Sequence, residues 1–553
     1  MRNLCNEIKW FMKQKYYMAA LLLTGICSYG FAITHPSIGI DDTAASLYFS
    51  EGLAVVMGRW TLFLINKIFH LSEFTPFMPE LAGVLCLMAA AILFSILLKR
   101  LLGEDIGIAG YTIFACVFLS NPIISEVYIY YLHNGVDLGY IGTAAALLAF
   151  MKGMDCRGKK ALKYWGGSTL LLLLSVGCCE SFLLLYVLGI LVILFLRGMT
   201  DADDFKSICI IKYLFTGALL CSICVCLREL AIFLITRIFG LEDMVGLMAK
   251  RSISEMLVLF GSKEGLQNLI MLLKRFWLVY HVNAVLYPPA AIYETAIIIL
   301  AILSVYLAFK KKSFWYPVLF AGMYITPMLL TIVEARTTSY RSCQFLPFFA
   351  ALGIFLCYCR ISRLGRDKHI GKYLGIAFAC ILVWNQMFDM NKSFYTDWKK
   401  YEHTKDVLLA AAQEVEKVYG NNIPVIFTGH YNVPHILLTD YYLGYGSWQY
   451  RFISSVTDWI DPHLKEKYHS SYGYCFIGEA NYPFIQWAFD AFDDTNREML
   501  AFLRMHGHEF ELVTDPSLLA EARALGDTLP GFPLEGSIVE QQDYILVHFT
   551  AEQ

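Results

Sequence analysis

The sequence predicts an α-helical protein that crosses a membrane many times and carries a small α/β domain at its carboxyl end. The 553 residues are 57% hydrophobic and only 16% charged, against roughly 25% charged in soluble proteins. Apolar runs recur up to residue 388, and a membrane helix needs about 20 such residues. Beyond residue 389, charged residues become common and apolar runs become short, as in a water-exposed domain.

About eleven apolar runs are predicted as membrane helices. They fall at about 16–34, 77–98, 106–121, 136–151, 164–178, 181–196, 208–236, 289–309, 314–333, 343–359 and 373–388. The stretch 164–196 is either one long helix or two short ones that turn at Cys179-Glu180-Ser181, and basic flanks at both ends favour two. Lys and Arg cluster at alternate junctions, for example Lys310-Lys311-Lys312, which predicts a cytoplasmic amino terminus.

This topology divides the chain into a membrane domain, 1–388, and an extracytoplasmic domain, 389–553. Two outward segments of the membrane domain, 35–76 and 237–288, exceed the roughly 15 residues of a simple connection, so we expect them to serve function. In the second domain the pattern predicts helices over 397–419, 493–505 and 518–524, and strands over 423–429, 509–513 and 544–549.

Composition excludes some classes of function. A net charge of −3 argues against nucleic-acid binding, which needs a basic excess to neutralise phosphates. Most of the 16 cysteines lie in or beside apolar runs and are expected to be small buried hydrophobes. The pairs His430/His435 and His506/His508 lack helical spacing and a third ligand, so no metal site is predicted from them.

The strongest site candidate is the pair Asp41-Asp42, directly after the first predicted span. A carboxylate in a partly desolvated cavity can accept a proton from an attacking hydroxyl as a general base, and a neighbouring carboxylate raises the pair's apparent pKa. The alternative is a simple helix cap. Three arginines on the same predicted face could bind a leaving phosphate: Arg59, Arg336 and Arg341.

Other polar residues on that face are candidates for substrate binding. Trp60 either lies in the interfacial belt or stacks on a sugar, and the loop with Arg336 and Arg341 either binds substrate or snorkels at the interface. Arg228-Glu229, inside the seventh run, is predicted to be a structural lock that faces the protein interior. The remaining candidates, which could also be boundary residues, are His35, Glu126, His133, Glu180 and Tyr340.

The order of these features resembles the bacterial type II O-antigen glucosyltransferase family, which are membrane enzymes of the GT-C class. The resemblance rests on a basic amino end, a first span, Asp41-Asp42, Gly58-Arg59-Trp60 and about ten further spans; the tail Leu529–Ile538 is also similar. It implies transfer of a sugar, typically glucose, from a polyprenyl-phosphate carrier to a cell-surface glycan outside the bacterial cytoplasmic membrane. The residue-by-residue match covers Asp41, Asp42, Arg59 and Trp60, whereas Cys179-Glu180-Ser181 departs from the family pattern.

The expected chemistry is an inverting single displacement with Asp41 or Asp42 as the base. No cofactor is required, since the lipid phosphate already activates the sugar, while a divalent cation that bridges the Asp pair and the donor phosphate stays open. The alternatives are a lipid-linked glycan flippase, a glycan polymerase or ligase, and an outward sensor or adhesion module.

Overall fold

The computed structural model describes residues 2–37, 49, 52–69, 77–103, 106–128, 134–200, 207–243, 261–263, 265–270, 291–327, 329, 343–362, 368–429, 431 and 495–550. These residues form two compact units. The first contains 2–34 and the described residues from Gly52 to Asn391. The second contains 35–37, Phe49 and the described residues from 392 onward.

The first unit is built from helices. Their bounds are α1 Arg2–Lys13, α2 Lys15–Thr34, α3 Leu53–Val56, α4 Trp60–Phe69, α5 Met78–Leu102, α6 Gly107–Leu119, α7 Ser125–Tyr128, α8 Leu138–Met154, α9 Lys159–Val176, α10 Phe182–Thr200, α11 Ser207–Phe239, α12 Ala291–Lys311, α13 Trp315–Ile325 and α14 Leu346–Ile361. A 3₁₀ turn, Pro122–Ile124, leads from α6 to α7.

Within the described ranges, six helices are long and apolar enough to cross a membrane. They are Lys15–Thr34, Met78–Leu102, Gly107–Ile124, Phe182–Thr200, Ser207–Phe239 and Ile370–Asn391. Four shorter apolar helices accompany them: Trp60–Phe69, Leu138–Met154, Trp315–Ile325 and Leu346–Ile361. The protein is therefore a multi-pass membrane protein, and the count of eleven spans stays a prediction.

The stretch 164–196 forms two helices, as its basic flanks favour. Helix α9 ends at Val176, and α10 begins at Phe182. The intervening residues close a tight turn, in which the Phe182 amide donates to the Cys179 carbonyl at 3.2 Å. The first unit thus has a sharp corner at Gly177–Ser181.

An aromatic core holds the helices of the first unit together. Phe94 on α5 packs against Phe348 on α14 with ring centroids 4.8 Å apart, and Phe118 on α6 packs edge-on against Tyr140 on α8. The Tyr140 hydroxyl donates to Gln344 Oε1 at 2.5 Å inside this core. Such buried polar pairs fix the helix register because an unpaired polar group there is costly.

Helix α15 runs over Lys368–Tyr419, and the boundary between the two units falls inside it, between Asn391 and Lys392. The sequence predicts two separate helices here, 373–388 and 397–419. The structure joins them because no Gly or Pro occurs between Gly375 and Gly420 to interrupt the backbone ladder.

The second unit contains a four-stranded sheet of order β2-β1-β4-β3. The strands and accompanying helices are β1 Pro424–Gly429, α16 Arg497–Met505, β2 Glu511–Leu512, α17 Pro516–Gly526, β3 Ile538–Glu540 and β4 Ile545–Phe549. Strand β1 pairs in parallel with β2 and β4, and β3 is antiparallel to β4. The sequence patterns identify all of these elements except β3, which has only three residues.

Candidate functional site around Gly58-Arg59-Trp60

Two glycines set the path of the chain through residues 52–61. Gly52 has φ 86° and precedes the short buried helix α3, and Gly58 has φ 90° and follows it. This left-handed backbone favours glycine because a Cβ would be strained there. The turn places Arg59 directly before α4, where its amide donates to the Ala54 carbonyl at 2.7 Å.

Gly58 contacts the guanidinium of Arg228, a residue 170 positions later on α11. A Cβ on Gly58 would overlap Arg228 Nη2 and would lie 2.7 Å from Arg228 Cζ. Neighbouring contacts support the same packing, since Phe63 on α4 meets Phe239 on α11 edge-on with centroids 5.2 Å apart. The absence of a side chain at position 58 therefore allows the Arg228 guanidinium to pack against the chain next to Arg59.

Arg228 is anchored by its neighbour Glu229. Arg228 Nη1 donates to Glu229 Oε1 at 2.6 Å, while Arg228 Nε is buried with no hydrogen-bond partner among the described residues. The Glu229 side chain is 57% exposed, against 17% for Arg228. The prediction that this charge pair faces the protein interior is thus wrong for Glu229.

The next two residues, Trp60 and Thr61, pack against the corner between α9 and α10. The Thr61 amide donates to the Gly177 carbonyl at 3.0 Å. A Cβ on Gly177 would overlap Thr61 Oγ1 and lie 2.7 Å from Trp60 Cε2. Trp60 is consequently buried, with 7% of its surface exposed, and it fixes the start of α4 against this corner.

Glu180 lies at the same corner. Burial raises the pKa of the Cys179 thiol, the Glu180 carboxylate raises it further, and the Arg59 guanidinium lowers it. Both charged groups therefore lie close enough to influence this one sulfur atom. Glu180 Oε2 is buried and has no hydrogen-bond partner in the described part of the chain.

The structure thus brings together Arg59, Trp60 and Glu180 of the predicted site residues, and it adds Arg228. His35 belongs to the second unit, where its ring packs edge-on against Trp398 at 5.1 Å. The backbone of Glu126 lies in α7, but its side chain is outside the description. The remaining predicted site residues lie outside the described ranges: Asp41, Asp42, His133, Arg336, Tyr340 and Arg341.

A second acidic cluster, which sequence reasoning largely missed, lies where α5, α7 and α8 meet. Asp137 precedes α8 and is 3% exposed, and its Oδ1 has no hydrogen-bond partner among residues that the structure describes. A Cβ on Gly83 would lie 2.5 Å from Tyr128 Oη and 2.6 Å from Asp137 Oδ2. Glu80 lies one turn before Gly83 on α5. A glycine within an otherwise apolar helix was the available signal for this close approach.

Metal ligands are not clustered in the described ranges, where no group of three His, Cys, Asp or Glu residues could hold a metal ion. The described site offers the Arg228 guanidinium packed on Gly58 and paired with Glu229, and Arg59 next to Gly58 in the chain. Guanidinium groups bind phosphate and carboxylate oxygens two at a time.

The fold defines the class first: a multi-pass membrane protein, with Arg59 and Arg228 at the Gly58 turn. Residues 30–358 match the family model described as glucosyl transferase GtrII. Because the match covers more than half of the chain, the protein belongs to this family, and the resemblance to the type II O-antigen glucosyltransferases is confirmed. It is a glucosyltransferase, which implies a sugar donor and a glycan acceptor. No curated protein and no solved structure matches the chain.

Proposed function

We propose that the protein transfers glucose from a polyprenyl-phosphate carrier to a hydroxyl of a cell-surface glycan, the O-antigen, with inversion at the anomeric carbon. The observation that carries the proposal is the placement of Arg59. Arg59 follows Gly58, which packs against Arg228 of α11, and precedes Trp60 and Thr61, which pack against Gly177 of the α9–α10 corner. It lies inside the segment that matches the family and shortly after Asp41-Asp42 in the sequence.

In the proposed step, Asp41 or Asp42 accepts the proton of the acceptor hydroxyl. The oxygen of that hydroxyl forms a bond to the anomeric carbon while the bond from this carbon to the phosphate oxygen breaks. The electron pair leaves with the polyprenyl phosphate. A positioned general base of this kind contributes typically about 10²- to 10⁴-fold to the rate.

The departing phosphate gains negative charge, so cations near it stabilise the transition state. We assign Arg59, Arg336 and Arg341 to this role, because guanidinium groups bind two phosphate oxygens at once. Glu180 and the other polar candidates, His35, Glu126, His133 and Tyr340, are proposed to contact the sugar or the acceptor, whereas buried Trp60 supports the start of α4. The proposed reaction requires no cofactor. Loss of activity on chelation of divalent cations would indicate that a cation bridges the Asp pair and the donor phosphate.

The reaction is proposed to occur on the outer face of the bacterial cytoplasmic membrane, with the amino terminus inside and the carboxyl-terminal unit outside. The basic clusters at alternate junctions support this orientation. Protease digestion of intact spheroplasts tests it, since only an outward carboxyl-terminal unit is cut.

The deciding experiment uses the purified full-length protein, a radiolabelled polyprenyl-phosphate glucose and O-antigen acceptor. Asp41→Asn and Asp42→Asn are compared with wild type and with a control variant, Asp155→Asn. The Asp155 carboxylate lies outside the proposed site and pairs with Arg197 over a distance of 2.8 Å. We expect at least one of the first two variants to lose about 10²-fold or more in kcat, with Asp155→Asn near wild type. Full activity in both would contradict the base assignment, and movement of the lipid without transfer would favour the flippase.

A further inference from the structure

The position of Arg228 along α11 suggests a role other than a structural lock. Arg228 lies 21 residues after Ser207, the first residue of this helix, which at 1.5 Å per residue is about 32 Å. The hydrocarbon core of a bilayer is about 30 Å thick. A helix that enters the membrane near Ser207 therefore brings Arg228 to the opposite surface, the level at which lipid phosphates lie.

The surroundings of Arg228 place it at the border between lipid and the site. Apolar neighbours on α11, such as Leu230 and Leu234, are about half exposed, as expected for a lipid-facing surface. The Arg228 side chain is only 17% exposed, and its guanidinium packs against Gly58, the residue that precedes Arg59. A lipid that arrives sideways from the bilayer would meet Arg228 at the edge of the site.

The hydrogen-bonding of Arg228 leaves a donor for a ligand. Glu229 occupies Nη1, and the buried Nε has no hydrogen-bond partner among the described residues. Buried donors without partners are rare in folded proteins, and each one indicates a missing partner or a function. A phosphate oxygen is the kind of acceptor that a guanidinium nitrogen prefers.

We propose that Arg228 binds the phosphate of the lipid-linked donor together with Arg59, the residue that follows the Gly58 against which the Arg228 guanidinium packs. This assignment rests on the proposed function and names a further residue of the donor site. Glu229 acts as a positioning residue, because its carboxylate holds Nη1 and so fixes the plane of the Arg228 guanidinium.

The test measures binding and catalysis separately, on full-length protein in lipid nanodiscs. The binding probes are a polyprenyl phosphate and the polyprenol of the same chain length, so that the difference between them reports the phosphate alone. For Arg228→Gln we expect the Kd of the polyprenyl phosphate and the donor KM to rise about 10- to 100-fold, with the Kd of the polyprenol unchanged. Arg228→Lys should lose less, because it keeps the charge but not the planar fork.

Two matched controls separate the contact from general damage. Arg237→Gln removes an arginine from the same helix whose guanidinium lies over the Phe233 ring, and it should leave both Kd values unchanged. Gly58→Ala and Gly240→Ala both place a Cβ at positive φ, but only Gly58→Ala collides with Arg228, whereas Gly240 has nothing within 4 Å. Gly58→Ala should therefore weaken phosphate binding, and Gly240→Ala should not.

Failure of this inference differs from failure of the proposed function. Unchanged phosphate affinity and an unchanged donor KM in a folded Arg228→Gln protein would overturn the inference. Transfer of glucose by the wild-type protein in the same experiment would still support the proposed function. Equal loss of polyprenyl phosphate and polyprenol binding would also overturn it, because that indicates a structural role. Absence of transfer by wild type would contradict the function itself.

Discussion

Substitution of Gly177 by Ala tests how the α9–α10 corner positions Arg59. The added methyl would overlap Thr61 Oγ1 and lie 2.7 Å from Trp60 Cε2 and 2.9 Å from Trp60 Nε1. All three contacts are closer than van der Waals packing allows, and both partners are buried, so the start of α4 must shift. Gly177 has φ −72°, so the effect is one of packing and not of backbone strain.

Overpacking of this kind costs about 1–3 kcal/mol. A shift of α4 also moves Arg59, the residue immediately before it, and misplacement of a substrate-positioning group by about 1 Å can cost 10²-fold in rate. We therefore expect Gly177→Ala to lower both the unfolding temperature and kcat/KM. Thermal unfolding in detergent and glucose transfer from the lipid donor measure the two effects on the same preparation.

The matched control is Gly167→Ala within α9, the helix that ends just before Gly177, where nothing lies within 4 Å of the added Cβ. It should be neutral or stabilising, by up to about 1 kcal/mol, because Ala favours the helix over Gly. The double variant Thr61→Ala/Gly177→Ala removes one of the clashing atoms and should recover part of the loss. If Gly177→Ala behaves like Gly167→Ala in both assays, the corner does not position Arg59 and the reasoning is refuted.

Two further predictions concern the acidic cluster and the second unit. Gly83→Ala should destabilise the protein by about 1–3 kcal/mol in thermal unfolding, because its methyl would approach Tyr128 Oη and Asp137 Oδ2 to 2.5 and 2.6 Å; stability equal to that of Gly166→Ala, where nothing lies within 4 Å, would contradict the contact. In α17, hydrogen bonds from the Ser517 hydroxyl and amide to the Asp515 carboxylate lower the pKa of Asp515. Its stabilisation is therefore full above the unfolded pKa of about 3.9 and declines as the pH falls through the lower folded pKa; hydrogen exchange of the α17 amides should show this decline in wild type and not in Asp515→Asn.

Local patterns in the sequence predicted those parts of the fold that depend on neighbouring residues. The corner at Gly177–Ser181 could be predicted because basic residues flank both ends of the stretch 164–196, which favours two helices with a turn between them over one long helix. The short strand β3 could not, since three residues carry too little periodicity. The continuity of α15 from Lys368 to Tyr419 was predictable in principle from the lack of Gly and Pro, although the fall in hydropathy after residue 388 suggested two helices.

The candidate site also contains residues that the sequence could predict and residues that it could not. Gly58-Arg59-Trp60 is a contiguous motif, and its resemblance to a family could be found without a structure. Arg228 could not be assigned to the site from the sequence, because no local pattern around residue 228 indicates a contact with residue 58. The close approach of Asp137 to Gly83 was missed for the same reason, since the two residues are far apart in the sequence.

The sequence by itself determined that this protein is a multi-pass membrane protein of the glucosyltransferase family, because hydropathy, turn residues and motifs are properties of adjacent residues. Only the tertiary structure decided which distant side chains share a site. Helix packing brings Arg228 into the space that Gly58 leaves empty and sets Gly177 against Trp60. Such contacts depend on the volumes of both partners and on the register of the helices, which no single stretch of sequence specifies.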